Sequence, residues 1–125
     1  MGALDAIGER MFDISVKPLF ERAIDNRDAT IWICENDALA MRALSFLRER
    51  GIRVPDDLSV VGFDNVPIEA LENRLTTIDF NSIEVIRRML NFVLRPPRPR
   101  GPYRHLPIEI EGIVMERGTA GKAIR

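Results

Sequence analysis

The chain has 125 residues, 46% hydrophobic and 30% charged, a balance that excludes a disordered segment and suits one globular domain or one lobe of a larger one. Its formal net charge of −1 gives no global attraction to a polyanion, so any contact with DNA must lie outside the chain or in a local patch. A single cysteine, Cys34, rules out an intrachain disulfide and fits a reducing compartment, and no apolar run approaches the roughly 18–20 residues of a membrane span.

Residues 1–14 carry no clean period and read as linker or tag remnant. Met1-Gly2-Ala3-Leu4 lacks the basic start of a secretion signal, so the cytoplasm is the expected compartment. Ser15 is placed to cap a helix running to about Asn26, with Pro18 in its first turn, where a missing N–H costs little. Val16, Leu19, Phe20, Ala23 and Ile24 fall at helical spacing on one stripe. Residues 30–34, TIWIC, are β-formers and read as a buried strand. From Asp37 to Arg50 the spacing turns helical, with Leu39, Ala43, Leu44 and Leu47 on one face and Gly51 placed to end it.

Residues 54–65, VPDDLSVVGFDN, are the most informative stretch. A turn signal leads into an apolar strand, and the strand ends on Asp64, where the chain must leave the sheet. Residues 30–63 thus form a strand–helix–strand unit, which by the handedness rule has parallel strands. Glu35-Asn36-Asp37 ends the first strand as Asp64 ends the second. In open α/β sheets ligands sit at the carboxyl ends of parallel strands, so two polar strand ends on one crevice point to small-molecule binding rather than catalysis.

A short helix is expected over 67–72 and a third strand over 75–80. Asn81 with Glu84 spells a capping box for a helix carrying Ile83, Ile86, Met89, Leu90 and Val93, which stops before Pro96-Pro97. Residues 95–104 read as a loop rich in proline and arginine. Residues 107–114, PIEIEGIV, alternate apolar and acidic positions before Gly112, as a strand with one wet face does.

Three stretches in order, ENDALAMRALSFLRERGIRVPDDLSVVGFDN at 35–65, LTTI at 75–78 and ERGTA at 116–120, resemble the LacI/GalR family of transcriptional regulators. The likeness covers residues 29 to about 120 and is to the C-terminal half of the family's sugar-sensing core, itself similar to periplasmic sugar-binding proteins. Asp79-Phe80-Asn81 also resembles the variant found in regulators with a GntR-type DNA-binding head.

The resemblance implies an α/β fold: a parallel sheet with flanking helices, the C-terminal lobe of an incomplete type I periplasmic-binding-protein-like fold. Residues 15–120 would be the partial effector-binding domain, with 81–104 belonging to an N-terminal lobe absent from this chain and 121–125 a tail. In the family two lobes close on a small effector, usually a sugar or nucleobase, and control a DNA-binding head, also absent here. Asn36 and Asp64 match positions that hydrogen-bond the effector. Phe80 stands at the third crossing between lobes, where relatives often carry glutamine, and an aromatic there is suited to stack on a sugar face. The helix at 37–50 and the stretch 66–72 resemble the family's dimer contact, with Met41 and Leu71 as the residues to watch. The implied partners are a small-molecule effector, a second copy of the chain, and operator DNA through the missing head, with no membrane and no cofactor.

Each of these residues has a structural alternative. Asp64 can cap the loop before Pro67, and Asn36 can cap the helix at 37–50. Trp32 and Phe80 can be core rather than ligand platforms. Cys34 reads as a small core residue, and His105 has no partner at metal-ligand spacing. Arg95, Arg98, Arg100 and Arg104 can touch phosphate or line a solvated loop. A phosphoacceptor receiver domain would need an acidic pair after a strand, whereas Asp56-Asp57 precede one. No nucleotide, nucleophile-elbow or metal motif supports an enzyme. A headless module that dimerises with an intact regulator, and a sugar-binding fragment without a DNA role, stand as the alternatives.

Overall fold

The computed structural model describes residues 3–66, 71–95 and 107–123, with the backbone alone for residues 3–6. The elements are α1 (Ala3–Met11), a π-helical stretch (Phe12–Val16), α2 (Lys17–Ile24), β1 (Ile31–Ile33), α3 (Asp37–Glu49), β2 (Ser59–Phe63), β3 (Thr76–Asp79), α4 (Ser82–Leu94) and β4 (Ile113–Met115). The sheet order is β1-β2-β3-β4. β1, β2 and β3 run parallel, and β4 closes the sheet antiparallel to β3. The architecture is α/β with a mostly parallel sheet, as expected.

α3 is the best specified element. The Asn36 side chain accepts a hydrogen bond from the Leu39 N–H at 2.8 Å, which caps the first turn. At the other end Gly51 takes a φ of +71°, and the amides of Gly51 and Ile52 donate to the carbonyls of Arg48 and Leu47. That is a Schellman closure, which needs a residue tolerant of the left-handed region. Between the caps, Ala40, Ala43, Phe46 and Leu47 are buried against one face of the sheet, where Trp32, Val60 and Leu75 complete the core. Trp32 stacks on Phe20 with ring centroids 5.3 Å apart, so it serves the core. The other face is less covered. Ile31 and Ile33 are exposed, so the strand expected to be buried is buried on one side only, as an edge strand beneath a single helical layer can be.

Three expectations are corrected. Residues 3–14, read as a linker, are helical, and Ser15 lies inside the π-helical stretch rather than at a cap. The apolar stripe begins earlier than Val16. Phe12 meets Phe20 edge-on at 5.9 Å and lies under the Arg42 guanidinium at 4.7 Å, and Glu9 pairs with Arg42 at 3.1 Å. The capping box at α4 does not form: Asn81 sits at φ +56° and makes no side-chain cap, while Glu84 pairs forward with Arg87 and Arg88. Finally, of the strand expected over 107–114 only Ile113 and Val114 pair with β3, joined by Met115, and residues 107–112 lie outside any element.

Gly62 is a glycine because of what faces it. A Cβ there would collide with the Asp37 carboxylate and approach Leu75 Cδ2 at 3.1 Å and Ala40 Cβ at 3.3 Å. Gly62→Ala is therefore expected to destabilise the chain by about 1–3 kcal/mol through overpacking, read as a lower urea midpoint with unchanged slope. Before β2, Arg53 grips Asp57 through its backbone N–H at 2.9 Å and its guanidinium at 3.0 and 2.6 Å. The guanidinium bond first, then the backbone bond, lowers the Asp57 carboxyl from 3.8 to about 2. A carboxyl lowered by folding adds stability that is fully present above its unfolded value and lost as pH falls through its folded one. Wild type is thus expected to lose this contribution between pH 3.8 and 2, and Asp57→Asn to flatten that part of the stability profile.

Candidate functional site at the carboxyl ends of the strands

Because β1, β2 and β3 are parallel, their carboxyl ends share one edge of the sheet. Asn36, Asp64 and Phe80 all lie on that edge, one after each strand. Asn36 is half-buried, and its carbonyl oxygen is used as the α3 cap. Its amide nitrogen has no partner among the described residues. Asp64 is exposed and adopts φ +99°, an unusual conformation for a residue with a Cβ. Its backbone N–H donates to the Ile78 carbonyl at 3.0 Å, and its carboxylate has no partner among the described residues. Phe80 is 51% exposed, with its ring 5.6 Å from that of Phe63 at 35°.

A second carboxylate on this edge was not singled out in the sequence. Asp37, the first residue of α3, is fully buried. It accepts from the Thr77 hydroxyl at 2.5 Å with one oxygen and from the Val66 N–H at 2.8 Å with the other. The signal was present: a glycine inside a strand often marks close approach by another group, and Gly62 makes room for Asp37.

The residues beside Asp64 are pinned from several sides. The Asn65 N–H donates to Thr77 Oγ1 at 3.4 Å. Its side-chain amide donates to Asp79 at 3.0 Å and accepts from the Arg117 guanidinium at 2.6 Å. Arg117 also donates to the Leu75 carbonyl at 2.7 Å, and Asp79 accepts from the Asn81 N–H at 2.7 Å. The Asn65 amide foremost, then the Asn81 N–H, holds the Asp79 carboxyl below its ordinary value. Asn65, Asp79 and Arg117 were also missed, because their partners are far away in sequence.

Chemically the edge offers an amide donor, an open carboxylate and an aromatic face. That set can hydrogen-bond and stack on a small hydroxylated molecule. Among the described residues no cluster of His, Cys, Asp and Glu could hold a metal ion.

Away from this edge, Met41 is half-buried and lines a groove of about 610 Å³ with Phe12 and Phe46. Leu71 is exposed. Arg95 ends α4 on the surface. His105, Arg98, Arg100, Arg104 and most of the short helix expected at 67–72 lie outside the described residues.

A family described as periplasmic binding protein-like domain matches residues 10–117. An HTH-type transcriptional regulator of Mycobacterium tuberculosis is 40% identical over 97 residues, 77% of this chain and 26% of that protein. The crystal structure of a LacI-family transcriptional regulatory protein from Corynebacterium glutamicum superposes with a TM-score of 0.59 at 36% identity, covering 81% of this chain and 39% of that one. A sugar-binding LacI-family regulator from Escherichia coli, complexed with phosphate, gives 0.61 at 25% identity over 80% of this chain and 36% of its own. The chain therefore spans well under half the length of these relatives. With the ordered strand-end motifs and the mostly parallel sheet, these matches make the chain a member of the periplasmic binding protein-like domain family and part of a LacI-family effector-binding domain.

Proposed function

We propose that the chain is the effector-sensing and dimer-forming portion of a LacI-type transcriptional regulator, acting in the cytoplasm, whose effector is a sugar or a closely related small molecule. The open Asp64 carboxylate carries this reading. An exposed acid held at φ +99° without a partner among the described residues is what a ligand hydroxyl would meet. Asn36 contributes an amide N–H that has no partner among the described residues, and Phe80 a stacking face on the same edge. The E. coli relative described as sugar-binding is in keeping with a sugar as effector.

The bare face of α4 supports a second lobe. Ile83, Ile86, Met89, Leu90 and Val93 are all more than half exposed, although they form one apolar stripe. Packing of residues 81–104 with an N-terminal lobe would bury that stripe and complete the pocket. Effector closes the lobes, shifts the population between two arrangements of a dimer joined through the Met41 and Leu71 surface, and so changes operator affinity through a DNA-binding head. Such coupling is typically about 1–3 kcal/mol.

The test is Asp64→Ala in the regulator that contains this chain, with a sugar identified by thermal-shift screening as the ligand. A charge-assisted hydrogen bond is worth about 1.5–3 kcal/mol, so the effector Kd is expected to rise at least about tenfold. Operator affinity without effector is expected to stay unchanged. An unchanged effector Kd sinks the assignment.

A further inference from the structure

We propose that Arg117, Asn65 and Asp79 form a latch that holds Asp64 in place and ties it to the crossing from β3 into α4. Asn65 and Arg117 act as positioning residues for the effector site. The inference rests on the reading of Asp64 as an effector contact.

Three observations carry it. First, the segment after β2 leaves the sheet through two consecutive left-handed residues, Asp64 at φ +99° and Asn65 at φ +52°. Such conformations persist in residues with a Cβ only where surrounding contacts over-determine them. Second, those contacts are identifiable. Thr77 accepts from the Asn65 N–H and Asp37 from the Val66 N–H, which fixes the backbone beyond Asp64. The Asn65 side chain is gripped at both ends, its carbonyl by Arg117 at 2.6 Å and its amide nitrogen by Asp79 at 3.0 Å.

Third, the two grips come from the segments that flank α4. Asp79 is the last residue of β3, and its other oxygen holds the Asn81 N–H at the start of α4. Asn81 is itself left-handed, at φ +56°, and its side chain reaches the Glu111 carbonyl at 3.5 Å on the returning segment. Arg117 follows β4, which completes that return, and it anchors on Leu75 and Thr76 of the third-strand region. A displacement of the crossing at Asp79–Asn81 must therefore pull on Asn65, and Asn65 cannot turn without turning Asp64. Lobe closure and placement of the Asp64 carboxylate become one event rather than two.

The experiment is NMR on this chain without any effector. In wild type, Asp64 is expected to show the strong amide-to-α-proton NOE of a positive φ. The Asn65 side-chain amide is expected to shift in acid with the same midpoint as the Asp79 carboxyl, below the ordinary 3.8. In Asn65→Ala the Asp79 midpoint should rise toward that ordinary value and the Asp64 NOE should weaken. The methyl signals of Leu47, Val60 and Leu75 should keep their places. Arg117→Gln should weaken the same NOE with a smaller effect on Asp79. Either variant leaving the Asp64 NOE intact overturns the latch. So does an Asn65 amide that ignores the Asp79 titration in wild type, a measurement that needs no variant to fold. Because no effector is present, these results stand apart from the Asp64→Ala binding test, and each idea can fail alone.

Discussion

Asp37 is the residue on which the rest of the arrangement depends. It is fully buried, and a buried carboxyl is costly unless its oxygens are satisfied. Here one oxygen takes the Thr77 hydroxyl and the other the Val66 N–H. Those two donors belong to β3 and to the loop after β2, while Asp37 itself begins α3. One side chain thus fixes the distance between a helix N-terminus, a strand and a loop. The helix end suits it further, since the free amides and dipole of the first turn favour an acid there. Gly62 is the complement: the strand gives up a side chain so that the carboxyl can lie against it. Among the described residues no buried side-chain polar atom lacks a partner, so the network costs little to keep and much to break in part.

How much of this was legible in the sequence follows from the range of each interaction. β1, α3, β2, β3 and α4 fell close to where period and punctuation put them, because caps, glycines and apolar stripes are read within a few residues. Asn36 and Gly51 are examples, each acting within one turn of its own position. The strand ends were legible for the same reason, and parallel strands then bring Asn36, Asp64 and Phe80 to one edge by topology alone. The losses are long-range. Nothing local marks Arg117 as a partner of Asn65, 52 positions away, or Thr77 as a partner of Asp37, 40 away. The helical character of residues 3–14 depends on Phe12 meeting Phe20 and Arg42. The capping box at Asn81 failed because a left-handed residue turns its side chain away from the helix it precedes. The returning strand shortened because alternation can favour a strand but cannot supply the partner that pairs with it.

The C-terminal segment shows how a lobe can be closed by a piece of chain that arrives late. β2 and β3 pair from Val61 and Thr76 upward. Below that level Thr119 fills the gap between them. Its backbone carbonyl accepts from Val60 at 2.7 Å, its hydroxyl donates to the Val60 carbonyl at 2.7 Å, and the same hydroxyl accepts from the Thr76 N–H at 2.9 Å. One threonine therefore satisfies three backbone groups that would otherwise face a dry interior. This gives a physical reason for the residue after Arg117-Gly118 to be small, branched and hydroxylated. It also places Arg117 with little freedom, two residues from that buried anchor.

Asp37 and Asp64 stand in contrast on this edge. Both are acids at the carboxyl end of a parallel strand, within one crevice. Asp37 has its oxygens taken by the protein and is sealed from water. Asp64 has its backbone N–H held by the Ile78 carbonyl, and its carboxylate has no partner among the described residues. An acid that merely stabilised the loop would gain most by turning inward to a neighbouring N–H, as Asp79 does with Asn81. Holding the adjoining backbone in two consecutive left-handed conformations while the acid takes no partner among the described residues works against local stability, a departure from the local consistency that most of the chain shows. The same reasoning applies to α4, whose apolar stripe is well formed as a helix face and poorly formed as a surface. In both places a well-formed local feature is left facing solvent.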